Sequence, residues 1–263
     1  MAPLLISSTQ NPRIKHLMAL QQRSQLRRKD NLIVVEGVRE LQHCIHAGFT
    51  IETVFCCPAL LLNEDLPATD AELVEVTQQV YERIAYRGST EGVIAIVQPR
   101  HLTLDDLELD DDPLIVVLEG VEKPGNIGAV LRSADAAHAT AVIVCDPLTD
   151  LYNPNLIRSS IGAIFTVPCV ACSSNECIKF LKENNFKILT AQLQDSELYY
   201  NTTMRGATAI VMGTESTGLT QAWREAATAH IRIPMRGALD SLNVSVSAAI
   251  LLFEAVRQRE LCP

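Results

Sequence analysis

The chain is poor in aromatic residues, which fill 5% of its 263 positions and include a single tryptophan. That scarcity leaves no evident platform on which bases could stack. Long apolar runs are missing as well. The longest, Ala248 to Phe253, is six residues, far below the ~20 that a membrane-spanning helix requires. The opening Met1-Ala2-Pro3-Leu4-Leu5-Ile6 has no basic lead and no extended apolar stretch, so no signal peptide is expected and a cytoplasmic location is. Neither Gly-x-Gly-x-x-Gly nor a P-loop occurs, which removes the usual signatures of dinucleotide and P-loop sites. Repeats and low-complexity tracts are absent. With 48% hydrophobic and 20% charged residues, the composition also excludes a disordered chain, a coiled coil or a collagen-like repeat.

What is present is apolar material for a real core, in one large or two ordinary domains. Eight cysteines (Cys44, Cys56, Cys57, Cys145, Cys169, Cys172, Cys177 and Cys262) follow no regular framework, and a chain this long needs no disulfide staples. Cys56, Cys57 and Cys145 lie in or at the ends of apolar, strand-like runs, as reduced thiols acting as small hydrophobes do. Cys169-x-x-Cys172 with Cys177 looks like part of a zinc site, but no fourth ligand lies nearby and no metal is expected.

Net charge is −9, yet its distribution is uneven. Residues 1–30 carry Arg13, Lys15, Arg23, Arg27, Arg28 and Lys29 against Asp30, a local +5 that leaves −14 for the rest. Six acids crowd into the eight residues 105–112. A basic arm on an acidic body is compatible with RNA, and equally with a solvated helix face.

Helical and strand patterns alternate along the chain. Asn11 to Arg28 has helical spacing, Leu32 to Val35 is a short strand, and Val38 to Ala47 is helical again. Strands follow at Thr53 to Cys56, Leu73 to Val76 and Val93 to Val97, giving a compact α/β module over residues 1–98. Residues 99–113 are acidic and bounded by prolines, as a linker is. In residues 114–263, Leu114 to Leu118 and Ala141 to Cys145 bracket a helix at Ile127 to His138. Ile188 to Ala191, Ala209 to Met212 and Ile231 to Ile233 are further strands, and Asn243 to Glu260 is a helix apolar enough at its centre to be buried all round. Such alternation predicts an α/β fold with a mostly parallel sheet and helices on both faces. His138 and Trp223 are taken as packing residues.

In such domains chemistry gathers at the carboxyl ends of strands, and three loops there are unusually rich. Glu119-Gly120-Val121-Glu122-Lys123-Pro124-Gly125-Asn126-Ile127-Gly128 turns into a helix N-terminus, a generic anion site. Asn126 and Arg132 stand six residues apart, about 120° round the helix, so Asn126 acts from the loop or cap and Arg132 from the helix. Each also has a plain reading, as a helix cap and a surface cation. Met212-Gly213-Thr214-Glu215-Ser216-Thr217-Gly218-Leu219 sets a carboxylate between glycines. Glu215 is open to a catalytic role, with a loop-shaping role as acceptor of backbone N–H groups preferred. Ser241, Asn243, Ser245 and Ser247 crowd the opening of the last helix, more polar groups than a cap at Asn243 or Ser241 requires.

Together, Asn126-x-Gly128-x-x-x-Arg132, Gly213-x-Glu215-x-x-Gly218-Leu219 and Ile233-Pro234-Met235 through Ser241-Leu242-Asn243-Val244-Ser245-Val246 resemble motifs one, two and three of the SpoU (TrmH) family, RNA ribose 2′-O-methyltransferases of the SPOUT superfamily. Residues 1–98 resemble that family's ribosomal-protein-like RNA-binding domain, through Ser8-x-x-Asn11-Pro12-x-Ile14-Lys15, Val35-Glu36-Gly37 and Glu91-Gly92-Val93-Ile94-Ala95. The resemblance implies a catalytic domain whose parallel sheet closes into a deep trefoil knot, which general rules of chain topology would not suggest. It also implies a homodimer.

The donor implied is S-adenosylmethionine. By resemblance Arg132 is implicated in activating the ribose 2′-OH. An arginine stays protonated, so binding an RNA phosphate and the developing alkoxide is preferred to proton removal. Asn126 positions substrate, Ser241 and Asn243 shape the site, and the proton acceptor is left open. The cofactor is expected near Thr190, Ala191, Gly213, Glu215, Ile233, Met235 and Leu242. Arg13, Lys15, Arg23, Arg27 and Arg28 are expected on RNA phosphates, with ribosomal RNA favoured over tRNA and neither DNA nor membrane as a partner. A tRNA ribose methyltransferase, a tRNA base methylase and a non-catalytic assembly factor are the alternatives. Retention of Asn126, Arg132, Ser241 and Asn243 argues against the last, and the Ser-Leu-Asn-Val-Ser-Val stretch favours ribose chemistry.

Overall fold

The computed structural model describes residues 4–61, 66–86, 91–214 and 217–260. The chain divides into two units, Met1–Arg100 with Tyr152–Thr166, and His101–Leu151 with Val167–Pro263.

In the first unit, strand β1 (Leu4–Ile6) leads to helix α1 (Pro12–Gln22). Asn11 caps this helix by accepting the Arg13 N–H at 2.9 Å, and Pro12 occupies the first turn, where a missing N–H costs nothing. The helical spacing continues to Arg28, but the chain breaks at Arg23, which is extended, and restarts as α2 (Ser24–Asp30). Arg27 accounts for the break. It is buried, and its Nη1 donates to the Leu20 carbonyl at 2.6 Å and to Gln21 at 3.3 Å, satisfying C=O groups that the end of α1 would otherwise leave open.

Then come β2 (Ile33–Glu36), α3 (Val38–His46), β3 (Ile51–Cys56), β4 (Glu72–Val76), α4 (Gln78–Ile84) and β5 (Val93–Val97). The five strands form a mixed sheet in the order β1-β4-β3-β5-β2, with β5 antiparallel to both its neighbours. Ile14, Leu17 and Leu20 of α1 and Val80, Tyr81 and Ile84 of α4 supply its core. Burial, followed by the nearby Glu40, pushes the Cys44 thiol up, and burial, followed by Glu75, pushes Cys56 up to about 11. Both behave as inert apolar groups.

The second unit begins with the acidic stretch. Leu102 bridges Val170, Thr103 and Asp106 form a reciprocal capping box, and Leu102, Leu104, Leu107 and Leu109 pack on the core of this unit. The leucines give the stretch an apolar side that its acids conceal in the sequence.

Strand β6 (Leu114–Glu119), helix α5 (Pro124–Ala136) and strand β7 (Ala141–Cys145) follow. Helices α6 (Pro154–Ser160) and α7 (Ala163–Thr166) belong to the first unit. The second unit resumes with β8 (Cys169–Cys172), α8 (Ser174–Glu183), β9 (Lys187–Ala191), β10 (Glu197–Leu198), β11 (Thr208–Met212), α9 (Gln221–Ala226), β12 (Ala229–Arg232) and α10 (Val244–Glu260).

Its seven strands are all parallel, in the order β10-β12-β9-β11-β6-β7-β8. Strands β6, β7 and β11 are buried along their whole length, which is why they are continuous apolar runs with no alternation. The chain steps from β6 to β8 in one direction and places β9 to β12 on the other side. Beside β6 the order therefore reverses, and crevices form there beyond the carboxyl ends.

Helix α10 packs against α5 through a stripe that includes Val244, Ala248, Leu251, Leu252 and Ala255. It is not buried all round, because Val246 and Phe253 are 46% and 50% exposed. His138 is exposed rather than packed, and closes the turn after α5 in a left-handed conformation. No helix among the described residues is long and apolar enough to cross a membrane.

Candidate functional site

The loops that leave β9, β11 and β12, with the residues preceding α10, enclose a cavity of about 390 Å³. That volume suits a small organic ligand. Ala191, Gly213, Ile233, Met235 and Leu242 line it, as does Ser241. Thr190 does not. It lies one residue back in β9, fully buried, with its hydroxyl 2.6 Å from Nδ1 of His230. Glu215 lies outside the described residues.

The β11 loop folds tightly on itself. A Cβ on Gly213 would stand 2.3 Å from the Gly218 carbonyl oxygen and 2.7 Å from the Leu219 nitrogen. Only glycine lets the two arms of the loop meet at this distance. Two buried polar atoms of cavity-lining residues, Oε1 of Gln192 and Nε of Arg224, have no hydrogen-bond partner among the described residues. Unpaired acceptors and donors in such a place call for a ligand that bears the complementary groups.

A second cavity of about 180 Å³ adjoins the first, sharing Gly213, Thr214 and Val244 with it and adding Lys123 and Asn126. Asn126 is not the cap of α5. Lys123 holds that position, and Asn126 sits in the first turn. There Oδ1 of Asn126 accepts the side-chain amide of Asn243 at 3.2 Å. Asn243 is the residue that caps α10, its Oδ1 accepting the Ser245 N–H at 3.0 Å and the Ser245 hydroxyl at 2.6 Å. The surplus polarity before the last helix thus divides between a cap and a link to the β6 loop. Ser241 is exposed, with its hydroxyl 3.2 Å from Asp240. Arg132 is exposed on α5 and lines neither cavity.

Beneath the loops lies a polar network that has no recognisable sequence pattern. Glu119, the last residue of β6, is buried. Its carboxylate accepts the Thr220 N–H at 2.8 Å and the Thr220 hydroxyl at 2.7 Å. The single proton of the Ser174 hydroxyl goes to Asp146 at 2.6 Å, and the same oxygen lies 3.2 Å from Glu119 and accepts the indole N–H of Trp223 at 3.0 Å. Thr220 directly follows Gly218-Leu219, so Glu119 fixes the end of the loop that shapes the cavity. The only hint in the sequence is a carboxylate closing an otherwise apolar strand.

The expected RNA-contact residues divide. Lys15, Arg23 and Arg28 are exposed, and Arg13 is exposed while paired with Glu72 at 2.7 Å. Arg27 was expected to contact phosphate and instead is buried against carbonyls of α1. Substituting Arg23 by alanine should reduce the salt slope of RNA binding by about 1, whereas Arg27→Ala should lower the unfolding midpoint. A filter-binding salt titration and a urea melt separate the two.

The cysteine expectation also changes. Positions 169 and 172 begin and end β8. Three residue steps along a strand span about 10 Å and point the end side chains to opposite faces. The sulfurs that do converge belong to Cys145, Cys172 and Cys177.

Comparison with known proteins agrees with this geometry. The SpoU rRNA Methylase family model matches residues 113–253, and an MRM3-like substrate binding domain matches residues 11–95. A Vibrio vulnificus protein named 23S rRNA (guanosine-2′-O-)-methyltransferase RlmB is 37% identical over 206 residues, 76% of this chain and 83% of the relative. Among solved structures, an RNA 2′-O ribose methyltransferase superposes with a TM-score of 0.87 at 40% identity, covering 97% of this chain and 99% of the other. An AdoMet-bound rRNA methyltransferase from Sinorhizobium meliloti also gives 0.87, at 26% identity over 96% and 97% of the two chains. With the matched model spanning the parallel sheet and the loops around both cavities, the chain belongs to the SpoU rRNA methylase family.

Proposed function

We propose that the protein transfers the methyl group of S-adenosylmethionine to the ribose 2′-OH of a guanosine in 23S-type ribosomal RNA. The observation that carries this is the pair of adjoining cavities, one sized for the donor and one flanked by the Asn126–Asn243 pair. The names of the relatives supply the nucleoside and the RNA.

The larger cavity suits S-adenosylmethionine on chemical grounds. Leu219, Ile233, Met235 and Leu242 offer apolar surface for an adenine. The unpartnered Gln192 oxygen accepts from an ammonium or hydroxyl, and the unpartnered Arg224 N–H donates to a carboxylate or ring nitrogen. Bound there, the donor supplies a methyl group activated by its sulfonium. The chain's own residues do the rest. Asn126, held by Asn243, orients the acceptor ribose in the smaller cavity. As the family resemblance implies, Arg132 meets an RNA phosphate and stabilises the alkoxide as the 2′-OH proton leaves. Lys15, Arg23 and Arg28 meet the RNA backbone. The trefoil knot implied by the resemblance belongs to this same reading.

The working form is a homodimer in the cytoplasm. Its support is the second apolar stripe of α10, where Val246 and Phe253 stand seven residues apart and exposed on one helix face. Burying such anchors stabilises self-association, and a hot-spot aromatic accounts for about 2 kcal/mol or more. Phe253→Glu should therefore yield a monomer in sedimentation-velocity runs at concentrations where the parent chain is dimeric.

The direct test is methyl transfer from labelled S-adenosylmethionine to undermodified total RNA, separated into ribosomal and transfer fractions. The expected product is 2′-O-methylguanosine in the large ribosomal RNA. Label in tRNA, or on a base, overturns the substrate assignment. Cofactor binding without transfer to naked RNA or ribosome precursors overturns the catalytic reading.

A further inference from the structure

Cys145 ends β7, Cys172 ends β8, and Cys177 lies in the first turn of α8. Cys145 and Cys172 are paired in register on adjacent parallel strands. The chain then turns through the Ser173 cap and brings Cys177 over them. All three sulfurs lie within 4.8 Å of one another. Cys145 and Cys177 are fully buried, whereas Cys172 is half-buried and open to solvent on one side. None of the three lines either cavity, so the cluster is separate from the proposed active site.

We propose that these three thiols form a binding site for one soft divalent cation of the zinc class. A zinc–sulfur bond of about 2.3 Å places three thiolates about 3.8–4.0 Å apart. Sulfurs already within 4.8 Å reach that triangle by small side-chain adjustments. Three converging sulfurs suit a cation better than a disulfide, which would join two and leave the third buried beside it. The ligands sit on two neighbouring strand ends and a helix start, a rigid frame of the kind that structural metal sites use. The carboxylates of Asp146 and Glu176 lie close enough to Cys172 to act on it electrostatically, and they add negative potential for a cation. The half-buried side of Cys172 leaves the fourth position to a water molecule. As each S–H bond gives way to an S–metal bond, its proton passes to solvent.

The consequence is local stiffening. A bound ion would tie the ends of β7 and β8 to the start of α8, where Ser174 joins the Glu119 network.

The test uses the full-length reduced protein and Co²⁺ as the probe. About one equivalent should bind, with thiolate-to-cobalt charge-transfer and tetrahedral d–d absorption that Zn²⁺ abolishes. Cys172→Ser should lose the charge-transfer band, and Cys169→Ser should keep it. Zn²⁺ should raise Tm in the parent chain and not in Cys172→Ser. A measurement independent of any variant is alkylation: Zn²⁺ should shield Cys172, the half-buried member of the three, while Cys169 continues to react. Absence of the cobalt band in the parent chain overturns the proposal. So does a band that survives Cys172→Ser, or alkylation unaffected by Zn²⁺. A Cys145–Cys172 or Cys172–Cys177 disulfide formed on mild peroxide treatment of a protein that binds no Co²⁺ would identify a redox pair in place of the metal site.

Discussion

Replacing Arg132 by alanine should lower kcat for methyl transfer by about 10²–10³-fold, with S-adenosylmethionine affinity almost unchanged. The separation follows from position. Arg132 is exposed on α5 and lines neither cavity, so removing it leaves the donor's contacts intact. Among the described residues it pairs with no acid, which keeps its guanidinium available for a phosphate and a developing alkoxide. Arg132→Lys keeps the charge, lacks the planar fork, and should recover only part of the rate. Single-turnover kinetics beside calorimetric titration of the cofactor distinguish the cases. Equal losses in rate and cofactor affinity would move Arg132 into the donor site, and an unchanged rate would remove it from the mechanism.

Glu119→Ala should be the most destabilising single change near the site, at about 3–4 kcal/mol. The carboxylate accepts two bonds from Thr220 and lies beside the Ser174 hydroxyl in a buried setting. Truncation leaves the Thr220 N–H without its partner and opens a cavity under the loop. Cofactor affinity should fall as well, because Thr220 anchors the arm that includes Gly218 and Leu219. Glu119→Gln retains one oxygen for the Thr220 N–H and should cost about 1–2 kcal/mol. Urea unfolding reads the stability and calorimetry reads the affinity. If the alanine variant unfolds at the parent midpoint, Glu119 does not hold the loop.

Much of the fold was legible from local pattern. Strand β5 has the predicted ends, and β6, β7 and β11 depart from prediction by at most one residue. Runs of branched apolar residues have no alternative use than a strand covered on both faces. The weaker elements were not legible. Strands β1 and β10 are three and two residues long, too short to show a period. Helix α1 ended early because a side chain from the next helix, Arg27, took its carbonyls, a contact that helical spacing cannot register. The acidic stretch concealed its leucines, and α10 proved to have a solvent-facing apolar stripe that its composition suggested would be buried.

The candidate site divides along the same line. Residue types and spacing by themselves marked Gly213 and Ser241 as loop residues beyond strand ends and Asn243 as a helix cap, because glycines, caps and buried strands each leave a local mark, whereas Asn126 lies in the first turn of α5. Which of those residues meet was decided by tertiary structure alone. Asn126 and Asn243 are 117 positions apart and bonded, and Glu119 holds a threonine 101 residues away. The three converging cysteines come from two strands and a helix, with Cys145 joining Cys172 and Cys177 in place of the Cys169 that the sequence suggested. Hydrogen-bond and sulfur geometry depends on distances set by the packing of whole elements, and only local periodicity is written along the chain.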